Sequence, residues 1–277
     1  MANSIEKHYS SDNLLERIFA GLVMAGKNPF ALTVDDLSSV DEFHSRGRQS
    51  TLELAKLAAP TSACRILDIG CGLGGSARFL AERFACQVTG LDLTHDYIAA
   101  AERLSQLTGL SERCSWRVGD ATELPFDNAC FDLVWTEHAQ MNVSDKTTFY
   151  QEIARVLKPG GRFAFHDVFA GSSTPTFPVP WAEESGISFL ISEQVAKALI
   201  QSTGLHIETW VEQNEKTAAA LKKNLGQPES QAVPPLGLHL LMGPNATIKL
   251  HNHLKNMQLG KITIAMGLAT KCGPTEP

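Results

Sequence analysis

This chain has no C-x-x-C pair and no basic run. Its six cysteines are scattered at 64, 71, 86, 114, 130 and 272, which indicates neither a zinc site nor a disulfide framework. A reduced compartment is the simpler reading. The formal net charge is −6, so nucleic-acid or membrane-surface binding has little electrostatic support. No apolar run approaches membrane-spanning length, and the N-terminus lacks the apolar core of a secretory signal. Internal repeats and low-complexity segments are missing as well. The 277 residues suffice for one large α/β domain or a domain with a cap, expected to be soluble and cytoplasmic.

The most informative stretch is Arg65 to Gly75, RILDIGCGLGG. Branched apolar residues suit a buried strand, glycines at 70, 72, 74 and 75 make a turn, and Ser76 onward reads as a helix. Glycine is required where φ turns positive or where a ligand approaches the backbone closely. Free N–H groups at the helix start then face that ligand. A glycine turn alone also fits an NAD or FAD site, or merely a tight corner. Here the glycines follow Asp68 as D-x-G-x-G-x-G, not as the G-x-G-x-x-G of a dinucleotide turn. A second strand ends in Asp92, 20 residues after Gly72, where an acid can accept hydrogen bonds from ribose hydroxyls. Asp92 alone does not choose the cofactor.

Strands are expected at 65–69, 87–92, 114–118, 131–136 and 162–168. Helices are expected at 76–85, 94–108, 145–157 (Ser144 as N-cap) and 192–203 (Ser192 as N-cap). This alternation argues for a doubly wound parallel sheet covered on both faces. Ligands of such sheets sit at the carboxyl ends of the strands. That rule gives a short list: Asp68, Asp92, Asp120, Glu137, His138, His166 and Asp167.

Outside this alternation, residues 1–60 read as an N-terminal helical lid or cap, and 61–277 as the main domain. Ser10-Ser11-Asp12 can cap a helix whose Leu14, Ile18 and Leu22 share a face, either packing or covering a ligand. Thr33 can start a short helix. The segment Asp41 to Arg48, DEFHSRGR, is either a solvated helix entry or a cover for a cofactor. At 170–191 three prolines within six residues exclude a regular helix, leaving a long loop on the substrate side. Strands follow at 207–213 and 262–270, separated by a helical insertion of roughly two helices at 214–259. The last residues, 273–277, read as a frayed tail.

Together, RILDIGCGLGG, Asp92, Gly119-Asp120-Ala121-Thr122-Glu123-Leu124-Pro125-Phe126, Phe131-Asp132-Leu133-Val134-Trp135 and Leu157-Lys158-Pro159-Gly160-Gly161 resemble the class I S-adenosylmethionine-dependent methyltransferases. The order and spacing match over about 65–170. A looser likeness, in the N-terminal helix and DEFHSRG, points to the small-molecule branch, with its sarcosine/dimethylglycine N-methyltransferases and natural-product sugar O-methyltransferases. No N-P-P-Y/F tetrapeptide of the nucleic-acid amino-methylating relatives is present. The resemblance implies a mostly parallel seven-stranded sheet whose last strand is antiparallel, with a helical cap. It implies S-adenosyl-L-methionine as cofactor and a small-molecule acceptor, in a monomer or homodimer. Carried over by position, Gly70, Gly72 and Gly74 would let the methionine part lie on the backbone, and Asp68 would reach its ammonium. Asp92 would hold the ribose, Leu93 would pack on the adenine, and Asp120 and Ala121 would meet its edge, with Glu137 near the amino-acid end.

Methyl transfer from a sulfonium needs an aligned nucleophile and a dry site. A hydroxyl or ammonium acceptor also needs a base, and histidine suits that role near neutral pH. His138 is the candidate base, with Asp167 orienting it or binding substrate; alternatively His138 only shapes the pocket. A carboxylate acceptor would call on Arg46 or Arg48. Trp181, Phe169 and Phe177 form either a cation-binding wall or ordinary loop packing. His239, His251 and His253 do not make a metal set, and no metal is expected. Two rival readings stay open: an NAD-dependent oxidoreductase, and a non-catalytic cofactor-binding partner module.

Overall fold

A computed structural model describes residues 2–9, 13–226 and 234–273. The N-terminal part holds α1 (Ala2–Tyr9), α2 (Leu14–Met24), α3 (Val34–Asp41) and α4 (Arg48–Ala58). Strands and helices then alternate: β1 (Arg65–Ile69), α5 (Gly75–Phe84), β2 (Gln87–Asp92), α6 (His95–Leu107), β3 (Cys114–Val118), β4 (Phe131–Glu137), α7 (Lys146–Val156) and β5 (Leu157–Ala170). The chain closes with α8 (Glu193–Ser202), β6 (Leu205–Glu212), α9 (Asn214–Leu225), α10 (His239–Met242), α11 (Ala246–Gln258) and β7 (Ile262–Lys271).

The seven strands form one sheet in the order β3-β2-β1-β4-β5-β7-β6. Strands β1 to β5 pair in parallel, and β7 runs antiparallel to β5 and β6. This is the doubly wound sheet with an antiparallel last strand that the motifs imply. The chain steps outward from β1 to β3, then returns to place β4 on the other side of β1. The carboxyl ends of β1 and β4 therefore flank a topological switch point, where such sheets form a crevice.

Alternation along the strands fills both faces. Ile66, Leu133, Trp135, Ala164 and Leu268 face one way and pack with Leu54 of α4 and Leu80 of α5. Leu67, Val134, Phe163, Phe165 and Ala269 face the other, against Phe149 and Ile153 of α7 and Ile200 of α8. Burying each of the larger side chains contributes about 1.5–3 kcal/mol, so both layers are held chiefly by apolar burial. A third cluster joins Leu14, Ile18 and Leu22 of α2 to Leu37 and Val40 of α3 and Leu104 of α6. The face at 14, 18 and 22 is thus a packing face, which seats the N-terminal helices on the sheet domain.

Helix starts follow local chemistry. Thr33 and Asp36 form a reciprocal capping box that opens α3. Ser192 caps α8 by accepting from the Val195 N–H. The start of α7 differs from expectation: Asp145, not Ser144, is the cap, because its carboxylate stands 3.0 Å from the Thr148 N–H. Ser10, Ser11 and Asp12 lie outside the described residues, as do Pro228 and 274–277. Within 170–191 the helical content is a single 3₁₀ turn, Ser185–Ile187, beside an isolated Val179–Ala182 bridge, and 214–259 carries α9, α10 and α11 in place of the two helices expected. No described helix is long and apolar enough to cross a membrane.

Candidate active site

The turn after β1 bends because Gly70, Gly72 and Gly74 all take positive φ, +73°, +53° and +80°. Gly70 and Gly72 border a cavity at the carboxyl ends of the strands. A Cβ at Gly72 would meet nothing closer than Tyr97 Cδ2 at 4.0 Å, so the cradle has open space beside its backbone. Gly74 instead makes room for packing. A Cβ there would stand 2.2 Å from the Trp116 ring, and the residue is not part of the cavity wall.

Asp92 joins the two turns. One carboxylate oxygen accepts from the Gly72 N–H at 2.8 Å and the other from the Thr94 N–H at 2.8 Å. Burial raises its pKa, and these N–H groups oppose the rise. Asp68, at the end of β1, is 3% exposed, and its Oδ2 has no partner among the described residues. Burial, then the Glu137 and Asp92 charges, push its pKa well above the usual carboxylate range. Leu93, Asp120 and Ala121 form the opposite edge of the same cavity. Asp120 holds a local turn by accepting from the Thr122 N–H and hydroxyl at 2.8 and 2.7 Å. A buried acid with one carboxylate oxygen unpartnered among the described residues, a glycine cradle and a strand-end acid thus line this cavity. Such donors and acceptors fit an ammonium, a ribose and a flat base laid along the turn.

Glu137, at the end of β4, lines the same cavity. It accepts from the Ser76 hydroxyl at 2.7 Å, the Trp135 indole N–H at 3.0 Å and the Thr51 hydroxyl at 3.2 Å. Two imidazoles complete its surroundings: His44 Nε2 at 3.5 Å and His166 Nδ1 at 3.8 Å. Burial opposes its charge, but these imidazoles and the Ser76 donor outweigh it and hold its pKa below the ordinary carboxylate value.

His138 follows Glu137 in a left-handed conformation, φ +54°, unusual for a residue with a side chain. Its backbone N–H donates to the His166 carbonyl at 2.8 Å, and its ring lies 4.9 Å from that of His166 and 6.3 Å from that of His44. The Nε2 atom is buried without a hydrogen-bond partner among the described residues. Burial, then the neighbouring His166 and His44, lower its pKa well below that of free histidine. The imidazole is therefore neutral near neutral pH, the form that accepts a proton.

Asp167 does not orient the His138 ring. Its carboxylate accepts from the Ala139 and Gln140 N–H groups at 3.0 and 3.3 Å and from the Thr136 hydroxyl at 3.3 Å. It holds the turn that carries His138 and is absent from the cavity wall. Burial lifts its pKa to about 7 against those donors. Arg46 and Arg48 are also paired: Arg46 with Glu53 and Gln213, and Arg48 with Glu42 and Asp35, its buried Nη2 alone having no hydrogen-bond partner among the described residues. Phe169 and Trp181 are packing residues, each 1% exposed and in separate clusters, and half-buried Phe177 packs against the cluster of Trp181.

Several contributors are not legible in the sequence. Tyr9 of α1 lines the cavity and donates to the Asn142 side-chain oxygen at 2.8 Å, so α1 lies against the segment after β4. Phe43, Tyr97 and Leu241 add apolar wall. His44 belongs to the DEFHSRG segment, whose sequence assigns it no role of its own. The charged and aromatic composition of that segment, just ahead of β1, is the signal that could have found it.

Residues 67–165 match a family whose description is "Methyltransferase domain". A probable chloroplastic tocopherol O-methyltransferase from Oryza sativa subsp. japonica is 38% identical over 125 residues, covering 43% of this chain and 34% of that protein. Methyltransferase GfsG of Streptomyces halstedii is 30% identical over 168 residues, covering 60% of this chain and 58% of that one. The chain therefore spans about a third to three fifths of the length of these relatives. Among solved structures, a geranyl diphosphate C-methyltransferase from Streptomyces coelicolor A3(2), bound to S-adenosyl-L-homocysteine, superposes with a TM-score of 0.70 at 15% identity, covering 98% of this chain and 97% of that one.

Proposed function

We propose that this chain, which is built on a class I S-adenosylmethionine-dependent methyltransferase domain, transfers the methyl group of S-adenosyl-L-methionine to a hydroxyl or amine of a small molecule. The observation that carries the reading is one cavity that gathers the glycine turn, Asp68 and Asp92 together with Glu137, His44 and His138. When bound, the cofactor supplies an electrophilic methyl on a sulfonium whose leaving group is neutral. Asp68 would meet its ammonium, Asp92 its ribose hydroxyls, and Leu93, Asp120 and Ala121 its adenine. Gly70 and Gly72 would bring the backbone against its methionine part, with Glu137 beyond. His138 would take the acceptor's proton on Nε2, and Asp167 would keep its backbone in place.

The paired guanidiniums of Arg46 and Arg48 disfavour an acceptor that needs a carboxylate clamp, and the imidazole cluster favours a hydroxyl. The six unpaired cysteines, four of them buried, support a cytoplasmic setting. The acidic net charge supports a small-molecule acceptor over nucleic acid, for a monomer or homodimer.

The direct test is a turnover screen with labelled S-adenosylmethionine over sugars, phenols, quinone precursors and glycine derivatives. Product from none of these, in protein that binds S-adenosylhomocysteine, would leave a binding module. A melting temperature raised by NAD and not by S-adenosylhomocysteine would point to an oxidoreductase.

Two substitutions probe the two groups separately. Asp92→Ala removes acceptors of the ribose and of the Gly72 N–H, so S-adenosylhomocysteine affinity should fall about 10–100-fold. An unchanged dissociation constant by calorimetry would remove Asp92 from the ribose site. His138→Ala should lower kcat by about 10²–10⁴-fold while cofactor affinity stays within roughly threefold. Loss of affinity with kcat intact would make His138 a binding residue.

A further inference from the structure

We propose that His44, Glu137 and His166 bind one divalent first-row transition ion, of the zinc or ferrous kind, at the acceptor end of the cavity. One ligand atom from each of the three residues lies within 4.8 Å of the other two, and all three side chains are buried. His44 Nε2 is 3.5 Å from one Glu137 oxygen and His166 Nδ1 is 3.8 Å from the other. Donors held about 2.0–2.2 Å from one ion stand about 3.0–3.5 Å apart, so a side-chain shift of under about 1 Å closes the set.

Independent features of the site point the same way. His166 is 0% exposed, yet neither ring nitrogen has a hydrogen-bond partner among the described residues. A neutral imidazole carries one donor and one acceptor, and burying both unmet is costly. Coordination through Nδ1 would satisfy the acceptor. Glu137 is buried, and no Lys or Arg pairs with it among the described residues. Its hydrogen-bond donors, Ser76, Trp135 and Thr51, bring no charge. A dication held between Glu137 and the two imidazoles would compensate the buried carboxylate directly, beyond what these neutral donors supply.

The surroundings also orient the ligands. Ser50 Oγ lies 3.2 Å from His44 Nδ1 and donates its own proton to the Ser45 carbonyl at 2.7 Å. The serine therefore accepts from Nδ1–H, which leaves the Nε2 lone pair toward Glu137 at 3.5 Å and the Thr51 hydroxyl at 3.3 Å. Ser76 and Trp135 fix the carboxylate in the same way. Such outer bonds set the tautomer and aim of metal ligands. Two imidazoles and a carboxylate suit zinc or ferrous iron, whereas magnesium and calcium take oxygen-rich sets.

His44 and Glu137 border the cavity while His166 lies behind them, so the remaining coordination positions would open toward the ligand space. In the methyl-transfer reading, on which this consequence rests, an acceptor hydroxyl would occupy one of them beside His138. The ion site itself does not depend on that reading.

The test uses full-length, tag-free protein stripped with a chelator and titrated with Zn²⁺ or Co²⁺, read by elemental analysis and visible absorption. One ion per chain is expected, with cobalt ligand-field bands. His44→Gln and His166→Gln should each weaken binding by at least about 100-fold, and His251→Gln, at an exposed position of α11, should leave it unchanged. Substoichiometric binding by the wild type, or wild-type affinity in folded His44→Gln, would overturn the site. Should His166→Gln fail to fold, the wild type and His44→Gln decide the matter. S-adenosylhomocysteine binding without an ion rejects the metal site alone, and an ion without S-adenosylhomocysteine binding rejects the methyltransferase reading alone.

Discussion

Asp41→Ala is expected to lower the free energy of unfolding by about 3–5 kcal/mol. Asp41 ends α3, and its carboxylate accepts from Arg78 of α5 at 2.6 Å, with both side chains 0% exposed. Arg78 also donates to the Leu73 carbonyl at 2.6 Å, so the pair clamps the N-terminal helices to the glycine turn. Removing the acid alone leaves a guanidinium buried without its counter-charge, which costs more than removing the whole pair. The double variant Asp41→Leu/Arg78→Met should therefore be more stable than Asp41→Ala. Urea unfolding of the three proteins checks this. A loss below about 1 kcal/mol for Asp41→Ala would mean that the pair contributes little to stability. Because His44 lies three residues beyond Asp41, the single variant should also loosen the acceptor end of the cavity.

Gly72→Val should reduce S-adenosylhomocysteine affinity by at least about 100-fold, while stability falls only by the cost of a left-handed residue, about 1–2 kcal/mol. The added Cβ would meet no protein atom closer than Tyr97 Cδ2 at 4.0 Å. It would stand at the cavity wall where the cofactor's methionine part is proposed to lie. Gly74→Val should behave oppositely, because its Cβ would run into Trp116 and disturb packing outside that wall. Calorimetric titration beside thermal melts separates the two outcomes. Wild-type affinity in Gly72→Val would move the cofactor off this turn.

The fold is legible in the sequence because its signals are local. Short apolar runs rich in branched residues mark β1 and β4, alternation marks β3, and Ser192 and Gly204 bracket α8 as their chemistry predicts. The strand-end rule gathers Asp68, Asp92, Asp120, Glu137 and His138 around one cavity before any side chain is placed. The same rule also gathers Asp167, which sits at the carboxyl end of β5 but spends its carboxylate on the backbone of the neighbouring turn. A strand-end position tells where a residue lies, not which atoms its side chain will reach.

What the sequence determined by itself is the course of the backbone: which stretches are strands, where the glycine turn after β1 takes positive φ, and which acids end the strands. These depend on neighbours a few residues away and on the free energy of burying alternate side chains. Tertiary structure alone decided the partners. Arg46 and Arg48 found carboxylates, Arg78 found Asp41, and His44 and His166 met at Glu137. Most of these depend on how the N-terminal helices seat against the sheet, while His166 reaches Glu137 through the pairing of β4 and β5. A buried charge takes whichever counter-group packing brings within a few ångströms, and sequence distance carries no record of that choice.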